Sequence, residues 1–413
     1  MPRRRLTDAL TLRGRALLAT GCALVVCGVG LGFRDITRIG VLVAGLPLLV
    51  LLLSRRPLTL ATSREVRPTM VAPDEACDVL LRVGNTGSTA TPIIMAEEQL
   101  DYALGDRPRF VIPRMAPGAS HQLPYRVRGT LRGRHRLGPL GLRIKDPFDL
   151  TLRLAVVRDV GELIVLPTVI PLGGGALTGG LGYEGSTPHM IALHGEDDVS
   201  VREWRDGDDL RRIHWPATAH TGDLMVRQED RPSTRRIVIL LDDRDRIGDA
   251  PRSGGSFEWA VTAAASIASL AAESGASMHL ALGGRLLAGH SAGEQLALDE
   301  VLLALAVAEP LDAMALATSV DRAMEAATAG AVCIAVLMAM DDEDVERVSR
   351  IRPPGSAGLA LVQEIGTPGS PNPEVTATRL RERGWSSVVV RPGMGVDQAW
   401  QSLQAGAAVG TRR

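Results

Sequence analysis

Acidic side chains, guanidinium groups and two indoles crowd one stretch of this chain. Residues 195–230 hold ten Asp or Glu, five Arg and two of the five tryptophans. The centre reads Val201-Arg202-Glu203-Trp204-Arg205-Asp206-Gly207-Asp208-Asp209-Leu210-Arg211-Arg212-Ile213-His214-Trp215. Three chemistries compete for it. As a metal site, Asp206, Asp208, Asp209 and His214 offer oxygen and nitrogen ligands, yet the interleaved arginines neutralise the field that a cation needs. As acid–base equipment any of the carboxylates would serve, but no nucleophile–base pair is evident. As an ion-pair clasp between domains, or a surface that receives a partner, the alternating signs make direct sense. This third reading is preferred, with Trp204, Arg205, Gly207, Asp208, Arg212 and Trp215 as its carriers; clasp and docking surface both stay open. Asp206-Gly207-Asp208 predicts a turn, and Asp208 or Asp209 a cap on a helical turn through Arg212. Both indoles are expected to be covered on at least one face.

Other chemistries lack their residues. Cys22, Cys27, Cys77 and Cys333 form no CxxC and no disulfide framework. Residues 171–188 contain seven glycines, but no G-x-x-x-x-G-K-[ST] follows, and the chain's only lysine is Lys145. That stretch reads as a connector. No G-x-G-x-x-G follows a strand, and H-E-x-x-H does not occur. His189 with His194, and His214 with His220, miss the i,i+4 spacing of a helical zinc pair.

The elements that would position the charged stretch differ on its two sides. After it, residues 236–242 form an apolar run ending in carboxylates, and strands at 277–282, 332–340, 358–362 and 386–390 alternate with helices. The helices are expected over 257–273 (capped by Ser256), 294–308, 312–327, 374–383 and 396–403, with one begun by Asp341 or Asp342. This alternation predicts a doubly wound parallel sheet covered on both faces, with any site at the carboxyl ends of its strands. Before the charged stretch, residues 58–166 show short alternating runs at 78–83, 121–128, 138–144 and 162–166, broken by Gly and Pro. They predict a small β-sandwich, a spacer or binding surface with nothing catalytic in it. Within it, Asp146-Pro147-Phe148-Asp149-Leu150 predicts a fixed turn with a buried ring at Phe148.

At the amino end, residues 16–33 are uncharged and largely apolar, enough for roughly 27 Å of helix. A second run, 40–53, contains Pro47 and is short for a ~30 Å hydrocarbon core unless it reaches back to Ile36 and enlists Arg38. With only residues 34–38 between them, the two runs predict a tight transmembrane hairpin. A cleaved signal is disfavoured, because no A-x-A follows the first run and a second apolar run does. Arg3, Arg4, Arg5, Arg13 and Arg15 precede the first run, Arg55, Arg56, Arg64 and Arg67 follow the second, and only Arg34 and Arg38 lie between. The positive-inside rule then puts both ends, and the soluble body, in the cytoplasm of a multi-pass membrane protein. Residues 1–67 carry 11 Arg against 3 acidic residues while the whole chain is −1, so the remainder is −9. The expected organisation is a membrane hairpin over 1–56, a β-sandwich over 57–170, a Gly-rich connector and charged segment over 171–234, and the α/β domain over 235–413.

The stretch from Trp204 to Trp215, followed by Ala217-Thr218-Ala219, resembles the hallmark of the bacterial domain-of-unknown-function-58 family. The segment 146–150 resembles that family's Asp-Pro-Phe-Gly-Leu element, and the likeness runs over nearly the whole chain. Asp149, Asp206 and His220 depart from the usual Gly, Pro and Arg. The resemblance implies that the α/β domain is von Willebrand factor A-like. Metal-binding members of that fold end their first strand in Asp-x-Ser-x-Ser, and the matching positions here are Asp242, Arg244 and Arg246. A divalent ion about 4 Å from a guanidinium meets roughly 2 kcal/mol of repulsion even at water-like dielectric. The metal site is therefore expected to be lost, and no cofactor is expected. The resemblance also implies a MoxR-type AAA+ ATPase as partner, for a membrane-anchored, non-enzymatic scaffold in a chaperone-like or envelope-assembly role. The competing classes are a metal-assisted hydrolase using Asp208, Asp242 or Asp243, and a receptor whose β domain lies outside the cell.

Overall fold

An uncharged apolar run has no face to turn to water, so its backbone polar groups must satisfy one another within a helix. In the computed structural model, which describes residues 9–53, 58–173, 200–204, 213, 215–228, 236–245, 255–288, 296–365 and 370–410, the first such run lies in α1 (Leu12–Gly30) and the second in α2 (Arg34–Leu53). Both are long and apolar enough to cross a membrane. The turn is tighter than the sequence suggests. Residues 34–38, expected to be the connection, are helical, and Asp35 pairs with Arg38 across one turn at 3.2 Å. This gives the second helix 20 residues, about 30 Å at 1.5 Å per residue. Gly21 and Gly28 of α1 lie against Ala44 and Thr37, and Gly40 of α2 lies against Val25. A Cβ at any of the three would overlap the opposing backbone or side chain, so the close crossing depends on small residues.

The chain divides into two compact units, Met1–Thr168 with Leu302–Ala308, and Val169–Val301 with Glu309–Arg413. Beyond the two helices, residues 58–168 of the first unit are built mainly of strands. β1 (Leu60–Arg67), β3 (Ala76–Asn85) and β6 (Ser120–Arg128) form one antiparallel sheet in the order β1-β3-β6. A second sheet runs β2 (Met70–Val71), β9 (Gly161–Val165), β7 (Gly133–Lys145), β4 (Ile94–Leu100), β5 (Arg109–Ile112), with β8 (Leu152–Val157) also paired to β7. Val79 and Val127 of the first sheet share one apolar cluster with Leu137 and Leu163 of the second, and Leu81 and Val83 share another with Ile94 and Leu140. An ion pair crosses this core. Arg64 of β1, its side chain 1% exposed, donates to Glu98 of β4 from Nε at 2.7 Å, and to Asp159 at 2.6 Å. Glu98 is fully buried, and the Tyr125 hydroxyl lies 3.5 Å from it. Burial, and then the Glu98 charge, push the Tyr125 phenol well above its ordinary range.

The 146–151 turn is fixed, but not by its ring. Phe148 is 63% exposed, against the expected buried ring, and Leu150 is the buried apolar side chain. The fastening is Asp146. Its carboxylate accepts the N–H of Phe148 (2.8 Å), Leu150 (2.8 Å) and Thr151 (2.5 Å) and the Thr151 hydroxyl (2.9 Å). Partial burial alone would raise its pKa; these hydrogen bonds outweigh burial and hold it below the usual carboxylate range. Asp149, where the resembling family has Gly, sits at φ +55°, a left-handed conformation that Gly adopts without cost.

In the second unit, apolar runs make the parallel sheet and amphipathic runs cover it. β12 (Arg236–Leu241) is flanked by β13 (Ser277–Leu282) on one side and β15 (Val332–Met338) on the other, both parallel to it. β16 (Ala357–Gln363) and β17 (Ser386–Val390) continue in parallel, and β14 (Arg285–Leu287) closes the other edge antiparallel to β13. Val238 and Leu240 face a core shared with α6 (Ala313–Ala326), α7 (Asp342–Ser349) and α8 (Pro373–Glu382). Ile237, Ile239 and Leu241 point the other way and are equally buried, and α4 (Ser256–Glu273) packs on β12, β13 and β15 and meets α9 (Val396–Gly410). Several boundaries move. Ser256 is the first residue of α4 and not its cap, since Gly255 holds the N-cap position without a side-chain bond. Asp341 does cap α7, accepting the Asp344 N–H at 3.0 Å. The helix expected over 294–308 is described from Leu298 to Ala306 as α5, and α9 runs on past Leu403 through small residues. Ahead of the sheet, β10 (Ser200–Glu203) pairs antiparallel with β11 (Met225–Gln228), with α3 (Trp215–Thr221) between them.

Candidate functional site

The strand order places the mouth of the sheet. The chain leaves β12 for β13 on one side and later returns to β15 on the other, so the carboxyl end of β12 lies where the winding reverses, the position at which open α/β sheets form their crevice. Asp242 and Asp243 sit there, both fully buried. The Asp242 N–H continues the ladder to the Val336 carbonyl at 2.9 Å, and its Oδ2 accepts the Met338 N–H at 3.0 Å. Asp243 turns the other way, and its Oδ2 accepts the Gly283 N–H at 2.6 Å after β13. Gly283 has φ +61°, which favours glycine there. Leu311 bridges the segment, donating to the Asp243 carbonyl at 2.7 Å and accepting from the Asp245 N–H at 2.6 Å.

Arg244 fills the space in front of Asp242. Its Nε and one amino group donate to the two carboxylate oxygens of Asp242 at 2.9 and 2.8 Å, and its other amino group reaches Asp344 at 2.9 Å. The two carboxylates come from opposite sides of the mouth, β12 and the first turn of α7, and one guanidinium spans them. Burial opposes the charge on Arg244, but the hydrogen bond and field of Asp242, then the fields of Asp344 and Asp341, raise its pKa above the usual value. Burial also pushes the Asp344 carboxyl up, with Arg244 pulling against it. A divalent ion held by Asp242 would have to displace this fork, so the residues present do not fit one. Among the described residues, no group of three or more His, Cys, Asp or Glu could hold a metal ion. Arg246 lies outside the described residues.

The charged signature is described at its two ends. Arg205, Gly207, Asp208 and Arg212, with Asp206, Asp209 and His214, lie outside the described residues, as do the turn and the capped helical turn expected there. Trp204 and Trp215 are brought to the same hairpin. The Trp204 N–H donates to the Leu224 carbonyl at 2.7 Å, extending β10 against the start of β11, while Ile213 bridges to Val226. The Thr218 hydroxyl of α3 accepts the Met225 N–H at 2.9 Å, closing the turn between α3 and β11. The two indoles differ in how far they are covered. Trp204 is half-buried, but Trp215, the first residue of α3, is 65% exposed. A helix's first residue has no preceding turn to lie on, which leaves a large ring there uncovered.

Sequence reasoning missed two features of consequence. Asp344 supplies the second carboxylate to Arg244, and its only sequence signal is its place in the first turn after Asp341. The Arg64–Glu98 pair has none, since its members lie 34 residues apart on different strands.

Among solved structures, the CARDB domain of a Pyrococcus furiosus protein is similar at 16% identity over 26% of this chain and 91% of that one, with a TM-score of 0.20. The alkylpurine DNA glycosylase AlkC of Pseudomonas fluorescens is similar at 13% identity over 32% of this chain and 39% of that one, with a TM-score of 0.19. Such TM-scores transfer neither fold nor chemistry. No curated protein matches the chain. Residues 200–353, which hold the tryptophan hairpin, strand β12 and the mouth filled by Arg244, match the family described as "Protein of unknown function DUF58".

Proposed function

We propose that the protein is a membrane-anchored, non-enzymatic scaffold whose soluble units receive another protein, a MoxR-type AAA+ ATPase. The observation that carries this reading is the Arg244 fork on Asp242 and Asp344, which puts a fixed protein cation where a metal-assisted enzyme would need an exchangeable one. The sheet order, with one antiparallel edge strand, supports a von Willebrand factor A-like α/β unit, and the two facing sheets of the first unit support a β-sandwich. The two apolar helices and the arginines flanking them support a multi-pass anchor with the body in the cytoplasm. The exposed Trp215 is the kind of side chain that anchors protein interfaces.

The test is capture of a co-expressed MoxR-type ATPase by the full chain in detergent, compared with Trp215→Ala. The reading expects capture by the wild type and at least roughly 30-fold weaker capture by the variant, the loss of one interface hot spot. Calorimetry with Mg²⁺ addresses the rival hydrolase reading. A binding heat from the wild type that Asp242→Ala abolishes would overturn the scaffold.

A further inference from the structure

We propose that the 146–151 turn is a membrane seat, in which the exposed Phe148 ring enters the interfacial layer of the phospholipid bilayer beside the start of α1. The inference rests on the reading of α1 as a membrane span and adds to it a contact made by the strand-built part of the chain. Two hydrogen bonds and an antiparallel bridge tie the turn to the helix entrance. The Thr11 N–H donates to the Leu150 carbonyl at 3.0 Å, the Thr11 hydroxyl donates to the Asp149 carbonyl at 2.5 Å, and Leu10 forms an antiparallel bridge with Thr151. Gly14, one turn into the helix, lies directly on the Leu150 backbone, where a Cβ would collide with its carbonyl oxygen. Thr11 also caps α1, accepting the Gly14 N–H at 3.2 Å. The strands are thus fastened to the helix end itself and not hung from it by a linker.

Depth follows from this fastening. The uncharged run begins at Ala16, and four residues of helix from Leu12 span about 6 Å, the thickness of the polar layer on one side of a bilayer. Arg13 and Arg15 are exposed and occupy that layer. Leu150, bonded to Thr11, is therefore at headgroup level, and Phe148, two residues away, lies within about 7 Å of it. Two large apolar side chains are exposed here, Leu12 on the helix and Phe148 on the turn. Beside the turn, Arg13 and Lys145 pair with Asp149 at 3.7 and 2.9 Å, and Asp146 is a second carboxylate there. An aromatic ring exposed among charged side chains at this depth matches the chemistry of the bilayer interface, where apolar carbon meets charged headgroups.

Fluorine NMR of the full chain in phospholipid nanodiscs tests this, with p-fluorophenylalanine at all four phenylalanines, Phe33, Phe110, Phe148 and Phe257. Phe148→Leu assigns the resonance. Lipid carrying a nitroxide at carbon 5 of its acyl chain supplies the probe. The expected result is at least a doubling of linewidth for Phe148 and for Phe33, in the turn between α1 and α2, with Phe110 (packed on Tyr125) and the buried Phe257 unchanged. Broadening of Phe33 without Phe148 overturns the seat while leaving the membrane hairpin standing. If Phe33 stays sharp as well, the hairpin reading falls and the seat with it. Equal broadening of Phe110 and Phe148 marks general adhesion to lipid and also overturns the proposal.

Discussion

The Arg244 guanidinium holds both oxygens of Asp242, at 2.9 and 2.8 Å, and is itself held by Asp344 at 2.9 Å. Asp242 is fully buried, so its charge depends on this partner. Removing one member of a buried pair strands the other, at a cost of about 3–5 kcal/mol. Arg244→Ser should lose that much stability in chemical denaturation. It also restores a hydroxyl two residues after Asp242, beside an uncompensated carboxylate. Millimolar Mg²⁺ should therefore raise the melting temperature of the variant by several degrees and leave the wild type unmoved. An equal Mg²⁺ response in both proteins would show that the fork does not occupy the cation's place.

The buried pair in the first unit has a different consequence. Arg64 and Glu98 join the two sheets through a bidentate contact, at 2.7 and 3.3 Å, with Asp159 on the far side of the guanidinium. Glu98→Ala should destabilise the unit by up to about 3–5 kcal/mol, because the buried Arg64 then keeps only Asp159, itself partly exposed, as its carboxylate partner. The double variant Arg64→Met with Glu98→Leu should recover most of that loss, since apolar side chains of similar volume need no partner. Urea titrations of the three proteins check the pattern. A double variant as weak as Glu98→Ala would mean that the pair contributes specific geometry and not only charge balance.

The same pair explains which strands were legible. β3 and β6 alternate cleanly, with Val79, Leu81 and Val83 inward, and their cores were identified from the sequence. β1 and β4 were not, because one inward position in each carries a charge, Arg64 and Glu98, and an alternation of polar and apolar residues cannot show that a charge is buried. Arg64, counted from sequence among the basic residues flanking the second helix, is in the folded protein a core residue. β12 and β15 were plain as uninterrupted apolar runs, whereas β14, three residues long, exists only through its pairing to β13. At the mouth, Asp242 and Arg244 could be named from their positions after β12, but Asp344 comes 100 residues later and meets them only when the sheet closes. The turn at 146–150 reads as fixed in the sequence, yet the side chain that fastens it is Asp146 and not Phe148. A phenylalanine looks like an anchor in sequence, while four hydrogen bonds to one aspartate leave no trace there.

Those four bonds give Asp146 a pH signature. Burial would raise its pKa, but the bonds from Thr151, Phe148 and Leu150 prevail and depress it. A carboxylate depressed on folding contributes stability that is full above its unfolded pKa, about 3.9, and is lost as pH falls through the folded value. Asp146→Asn removes the charge at all pH values. At pH 7 it should be about 1.5–3 kcal/mol less stable, the worth of hydrogen bonds to a charged group. The gap should hold down to about pH 5 and narrow below pH 4. A gap that stays constant from pH 7 to pH 3 would show that the carboxylate's charge plays no part.

Asp149 offers the reverse experiment, a left-handed residue whose cost can be measured. At φ +55° an L-residue carries about 1–2 kcal/mol of left-handed strain, less for Asp than for most, and Gly carries none. Against that stands the ion pair with Lys145 at 2.9 Å. Both side chains are partly exposed, and such pairs contribute about 0–1 kcal/mol. The carbonyl that accepts the Thr11 hydroxyl belongs to the backbone and survives substitution. Strain relief therefore matches or exceeds the lost pair, and Asp149→Gly should be neutral or up to about 1 kcal/mol more stable. Asp149→Val, whose branched side chain is excluded from this conformation, should lose more than about 1 kcal/mol. Thermal melts in 1 M salt sharpen the comparison, because screening weakens the Lys145 pair and leaves the backbone term intact. The advantage of glycine should then grow. If it shrinks, the ion pair is not what aspartate contributes at this position.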